Sequence, residues 1–189
     1  MKRLEVGGIL TFLDKPTAAP PLQSHKGKLR PSPYKLVFPS SRFKALSTAS
    51  GAPVNLYHEF ENRVGFIQNA EIKGNEVHFT GQLWARPKLE DALHKGIVGI
   101  SIEVASFRNP ERVGDVELMD VDFISGAGLG TQEQVAHPGA KVEIIRELPL
   151  TLSTQEEMHW MSVTSRWVNE YFSFGKMQRL YDTVAAQKS

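Results

Sequence analysis

Ser101 sits inside the apolar run Ile97-Val98-Gly99-Ile100-Ser101-Ile102, and His58 closes the segment Val54-Asn55-Leu56-Tyr57-His58 just ahead of a charged turn. A hydroxyl buried in such a run must find a hydrogen-bond partner or cost about 1–3 kcal/mol. An imidazole brought in from a neighbouring strand would satisfy it and could take its proton near neutral pH, which would make Ser101 a nucleophile. On spacing alone the plainer arrangement is the better account: Ser101 bonded to a backbone carbonyl and His58 at the surface. The other histidines offer less. His25 lies in a Pro-rich stretch, His78 on the polar side of a strand pattern, His94 near a helix end and His159 in a C-terminal helical pattern. None of these forms a metal-ligand spacing such as H-E-x-x-H.

The run Gly126-Ala127-Gly128-Leu129-Gly130 invites comparison with phosphate-binding loops. It lacks the lysine of a P-loop, and Thr131 stands where a third dinucleotide-binding glycine would fall, so nucleotide binding is not supported. The chain has no cysteine, which excludes disulfide scaffolds, cysteine-ligated zinc, thiol catalysis and iron–sulfur ligation. At 189 residues and 21.1 kDa, it is expected to fold as one domain, or one domain with an appendage, without staples. No apolar run approaches the ~20 residues of a membrane span. The Met1-Lys2-Arg3 start leads into a short mixed segment without the shape of a signal peptide, so the expectation is a soluble, unexported protein.

The elements that would position these residues alternate mostly with period two. Leu4 to Leu13 reads as a strand stopped at Asp14-Lys15-Pro16. Pro16 to Pro33, with five prolines, reads as an exposed, mobile loop. Lys35 to Phe38 reads as a short strand and Ser40 to Leu46 as one helical turn. Val64 to Ile72 and Glu76 to Trp84, either side of Lys73-Gly74-Asn75, read as an antiparallel hairpin, with Val77, Phe79, Gly81 and Leu83 on one face. Pro87 opens a helix that Gly96 closes. Strands follow at 97–107, 116–125 and 140–145, with the Gly126–Gly130 run between the last two. From Thr154, Thr154-Gln155-Glu156-Glu157 reads as a capping box. Met158, Met161, Val168, Tyr171 and Phe172 then recur at helical spacing, with Gly175 expected to break or bend the helix before a second one. That places the domain boundary at 153: a domain over 1–153 with a Pro-rich basic loop at 15–33, and a helical segment over 154–189.

Net charge is +1, yet it is unevenly distributed: residues 15–50 carry seven basic side chains and no acidic one, while residues 51–153 carry nine basic and fifteen acidic. A sum near zero argues against general nucleic-acid coating, and a basic loop beside an acidic body can orient a charged partner.

Taken in order, these segments resemble one family. Arg3-Leu4-Glu5-Val6-Gly7-Gly8-Ile9-Leu10-Thr11-Phe12, Phe38-Pro39-Ser40-Ser41-Arg42-Phe43, Val54 to His58 with Val64-Gly65, and Gly96 to Ile102 are similar in order and separation to the prohead proteases of tailed bacteriophages. These are capsid-maturation serine peptidases related to herpesvirus assemblin. The resemblance spans residues 3 to about 145. It implies an α+β fold: a small, mostly antiparallel β-barrel with peripheral helices. It implies Ser101 as nucleophile and His58 as general base, with no cofactor and no metal. Leu118-Met119-Asp120-Val121-Asp122-Phe123 resembles the family's acid-bearing segment, which makes Asp120 the third member; assemblin-type enzymes use a second histidine, which makes His137 the runner-up, with Asp122 and Glu117 behind it. The chain departs from the family at Ile102-Glu103-Val104 and at Ser125 to Gly130. There Gly126, Gly128 and Gly130 are either an oxyanion loop offering backbone N–H groups or a plain turn. The implied partners are scaffolding and major capsid proteins as substrates, with self-association open and neither membrane nor specific nucleic acid. The implied location is the procapsid interior, in the cytoplasm of an infected host cell. A non-catalytic assembly protein with a tail-tube-like barrel is the alternative.

Overall fold

In the computed structural model the described residues are 1–18, 22–25 and 28–186, with side chains described except at 22–25, 28–31, 60 and 180–186. Seven strands close into a barrel in the order β1 (Lys2–Phe12), β12 (Lys141–Leu148), β8 (Val98–Ala105), β11 (Phe123–Thr131), β5 (Pro53–Leu56), β6 (Glu59–Lys73) and β7 (Glu76–Ala85). Every neighbouring pair is antiparallel except β11 with β5. The alternation seen in the sequence is the reason for closure. Leu4, Val6 and Leu10 of β1, Val77, Phe79 and Leu83 of β7, Ile100 and Ile102 of β8, and Ala127 and Leu129 of β11 all point into one buried core. Each large aliphatic side chain among them contributes about 1.5–3 kcal/mol by leaving water.

The β6–β7 hairpin turns at Gly74-Asn75, with Lys73 opposite Glu76 and Gly74 at a φ of 62°. Helix α1 (Pro87–His94) begins with its proline in the first turn and ends before Gly96, at a φ of 65°. Both match expectation.

Other segments differ from it. The Pro-rich stretch contains an antiparallel pair, β2 (Leu22–His25) with β3 (Lys28–Pro31), and its flanks are anchored: Thr17 and Ser32 are buried. The Ser40 to Leu46 turn is two short 3₁₀ turns, at Ser40–Arg42 and Leu46–Thr48. The strand expected at 116–125 is divided. β10 (Val116–Leu118) belongs to a small outer sheet with β4 (Lys35–Val37) and β9 (Glu111–Val113), and β11 starts only at Phe123.

The C-terminal segment is one helix, α2 (Thr154–Ala186), running through Gly175 without interruption. A glycine in a helix interior costs about 1 kcal/mol relative to alanine, which neighbouring packing can absorb. Ser153, rather than Thr154, caps α2: the Glu156 N–H donates to Ser153 Oγ and the Ser153 N–H donates to Glu156 Oε2. Buried Arg3 of β1 ties this end to the barrel, donating to Gln82 Oε1, to the Pro149 carbonyl and to the Glu156 carboxylate. The Ser153 amide and the Arg3 guanidinium together hold the Glu156 carboxyl at about 2. Further along, Trp160, Val163 and Trp167 of α2 are buried, and the Trp167 indole N–H donates to the Ile124 carbonyl at 3.3 Å.

Candidate active site

The β5–β6 connection is the tightest available, a two-residue turn made of Tyr57 and His58, with Leu56 opposite Glu59. Their φ values are 53° and 61°. A two-residue hairpin with both central residues at positive φ normally uses Asn-Gly, and placing ordinary side chains there costs about 1–2 kcal/mol per residue. What holds the turn is visible on both residues. The Tyr57 N–H donates to the Leu129 carbonyl at 2.8 Å, and His58 Nδ1 pairs with Glu103 Oε1 at 2.9 Å. His58 thus lies in the turn itself, two residues beyond the end of the strand that was expected to close with it.

Ser101 lies on the outer face of β8, because its neighbours Ile100 and Ile102 face the core. It pairs with Gly128 of β11. The His58 ring occupies the space a side chain at Gly128 would need: a Cβ built there would meet His58 Cε1 and Nδ1 at 2.4 Å. Two positions further along β8, on the same face, Glu103 pairs with Gly126 and lies over it, its Oε2 being 2.7 Å from where a Gly126 Cβ would stand. The alternating glycines of β11 thus form a bare track on which the Glu103 carboxylate and the His58 imidazole lie beside Ser101.

The electrostatics follow from the hydrogen bond. A carboxylate only accepts, so the His58–Glu103 contact places the ring proton on Nδ1 and leaves the Nε2 lone pair free. Ser101 is 8% exposed, and among the described residues its hydroxyl makes no hydrogen bond. A hydroxyl, an imidazole and a carboxylate bonded to its Nδ1 therefore lie on one sheet face, the three groups that a Ser–His–acid arrangement requires.

Two expectations need correction. Gly126, Gly128 and Gly130 do not form a loop: all three lie within β11, opposite Glu103, Ser101 and Gly99 of β8. The carboxylate that contacts His58 is Glu103, and the other candidates are engaged elsewhere. Asp120 faces Arg42 at 3.7 Å, Asp122 accepts from the Ser106 hydroxyl and the Phe107 N–H, and Glu117 accepts from the Ser32 hydroxyl. His137 is 1% exposed, wedged edge-on against Phe12 and Phe38. Its Nδ1 accepts from the Thr11 hydroxyl at 2.9 Å and its Nε2–H donates to the Lys15 carbonyl at 3.0 Å. Burial pushes its imidazole below the usual 6.5.

Glu103 was detectable from sequence by one signal, its position two residues after Ser101 in a strand, which puts both on the same face. Among the described residues no helix is long and apolar enough to cross a membrane, and no cluster of three metal-ligating side chains occurs.

No family model matches the chain, and no curated protein matches it in sequence. Among solved structures, a protease of Kaposi's sarcoma-associated herpesvirus in complex with a hexapeptide phosphonate inhibitor is similar at 14% identity and a TM-score of 0.44, over 87% of this chain and 77% of that one. The varicella-zoster virus protease is similar at 15% identity and a TM-score of 0.40, over 98% and 89%. The functional reading rests on the site.

Proposed function

We propose that the chain is a serine endopeptidase that cleaves scaffolding and major capsid proteins inside a procapsid, with Ser101 as nucleophile, His58 as general base and Glu103 as the residue that orients His58. The observation that carries this reading is the Glu103–His58 hydrogen bond at 2.9 Å, made by a ring that lies over Gly128 beside Ser101. A barrel serving only as a structural module has no need for an imidazole held in a costly turn beside a serine whose hydroxyl makes no hydrogen bond among the described residues.

In the reaction, His58 Nε2 removes the Ser101 proton as Oγ attacks the scissile carbonyl. The imidazolium so formed keeps its Nδ1–H on Glu103. Collapse of the tetrahedral intermediate breaks the C–N bond, and the Nε2 proton passes to the leaving amine. Water, deprotonated by the same nitrogen, then hydrolyses the acyl-enzyme and restores the Ser101 hydroxyl. The capsid setting comes from the resemblance of the sequence segments to prohead proteases. Coexpression with the cognate scaffold and capsid proteins tests it: processing by the wild type and none by Ser101→Ala is expected, and equal processing by both contradicts the assignment.

A further inference from the structure

His137 is buried, and the mechanism above leaves it unused. Both of its ring nitrogens are engaged outside its own segment: the Thr11 hydroxyl of β1 donates to Nδ1, and Nε2–H donates to the Lys15 carbonyl. One residue earlier, the Ala136 carbonyl accepts from the Ala18 N–H at 2.8 Å. The connection between β11 and β12, residues 132–140, is thereby pinned to the segment that follows β1. Its other end lies on the sheet face of the site. On that face β8 presents Gly99, Ser101 and Glu103 in turn, and Gly99 is opposite Gly130 of β11. A Cβ built at Gly99 would meet Val135 Cγ1 at 2.6 Å, and one built at Gly130 would meet Gln134 Oε1 at 3.2 Å. Gln134 is held there by the Thr131 N–H, which donates to Oε1 at 3.1 Å. Ser101 therefore stands between Val135 on one side along β8 and Glu103 on the other, with His58 over its cross-strand partner Gly128.

We infer that His137 is a positioning residue for the site: it pins the 132–140 connection, and the connection so held forms the wall beside Ser101 that seats an extended peptide substrate. The inference rests on the peptidase reading above. Glu103 and His58 occupy two sides of Ser101, so a chain laid across the hydroxyl meets Val135 and Gln134 on a third. Moving that wall by about 1 Å would misplace the scissile carbonyl, and a misplacement of that size costs on the order of 10²-fold. Aromatic packing alone would not fix the wall. Phe12 and Phe38 meet the ring edge-on and would receive a phenylalanine equally well, whereas the two hydrogen bonds allow one orientation of the imidazole. His137 takes no part in the proton path.

The test uses the full chain and two reagents for active serines: tri-alanine diphenyl phosphonate, long enough to lie along the wall, and methanesulfonyl fluoride, too small to need it. Modification of Ser101 is followed by intact mass. His137→Phe keeps the aromatic packing and removes both hydrogen bonds. In it we expect phosphonate modification slower by about tenfold or more, and methanesulfonyl fluoride modification within about twofold of the wild type. His137→Gln, which retains a donor and an acceptor, should recover most of the phosphonate rate. A merely structural His137 would lower Tm and leave both rates per folded chain unchanged. That result, or equal losses with the two reagents, overturns the inference and leaves the peptidase reading intact. If His137→Phe does not fold, Thr11→Val, which removes only the bond at Nδ1, is read in the same way. If the wild type is modified at Ser101 by neither reagent, the peptidase reading falls and takes this inference with it.

Discussion

The imidazole of His58 stands in the space that a Gly128 side chain would fill. Gly128 is the cross-strand partner of Ser101, so one missing methyl group brings the proposed base beside the proposed nucleophile. Gly128→Ala should therefore act on catalysis and not on folding. The new Cβ would meet the ring at 2.4 Å, and the ring, on an exposed turn, would move. Displacement of a catalytic group by about 1 Å costs on the order of 10²-fold. The expected outcome is a loss of that size in phosphonate modification of Ser101, with the circular dichroism spectrum unchanged.

Glu103→Gln tests the orienting role. The amide can donate as well as accept and no longer favours the Nδ1–H tautomer or the imidazolium, so a fall of about 10²–10⁴-fold in acylation rate is expected. Asp120→Asn, which touches Arg42 and not His58, should stay near the wild-type rate. Equal losses in the two variants would mean that Glu103 has no special part.

Tyr57 carries half of the strain in the turn, at a φ of 53°, with its side chain 61% exposed. Asparagine adopts this conformation more readily than tyrosine. Tyr57→Asn should stabilise the fold by about 1 kcal/mol, read as a higher denaturant midpoint at an unchanged slope. No gain would mean that the turn is less costly than its backbone angles imply.

His137 gives a pH dependence with a definite sign. Burial holds its folded-state value below 6.5, so as pH falls beneath 6.5 the unfolded chain takes up a proton before the folded one does. The stability it contributes is full above 6.5 and is lost as pH drops through the lower, folded value. Urea melts across this range should show the decline in the wild type and a flatter profile in His137→Gln. An identical slope in both would assign the titration to another group.

Much of the barrel could be read from alternation alone. Val77, Phe79 and Leu83 announced one buried face, and Gly74-Asn75 the turn before them. β11 was hidden for a physical reason: glycine has low strand propensity and reads as a loop, yet here the glycines are bare so that His58 and Glu103 can lie on the sheet. Gly175 misled in the same way, since packing of α2 on the barrel outweighs one unfavourable residue. Ser101 and His58 stand out by type and setting, but spacing alone favours the plainer arrangement, and it is the family resemblance that assigns them roles. Glu103 was passed over for Asp120, although its spacing of two from Ser101 placed it on the same strand face, because sequence alone does not show which carboxylate a distant turn will reach.

The central claim, that Ser101 is a nucleophile activated by His58, is tested most directly by treating the full chain with a diphenyl aminoalkylphosphonate and mapping the adduct by mass spectrometry. The account predicts one adduct per chain, on Ser101, lost in Ser101→Ala and strongly slowed in His58→Ala. No adduct on the folded wild type, or the same adduct mass in Ser101→Ala, would contradict it.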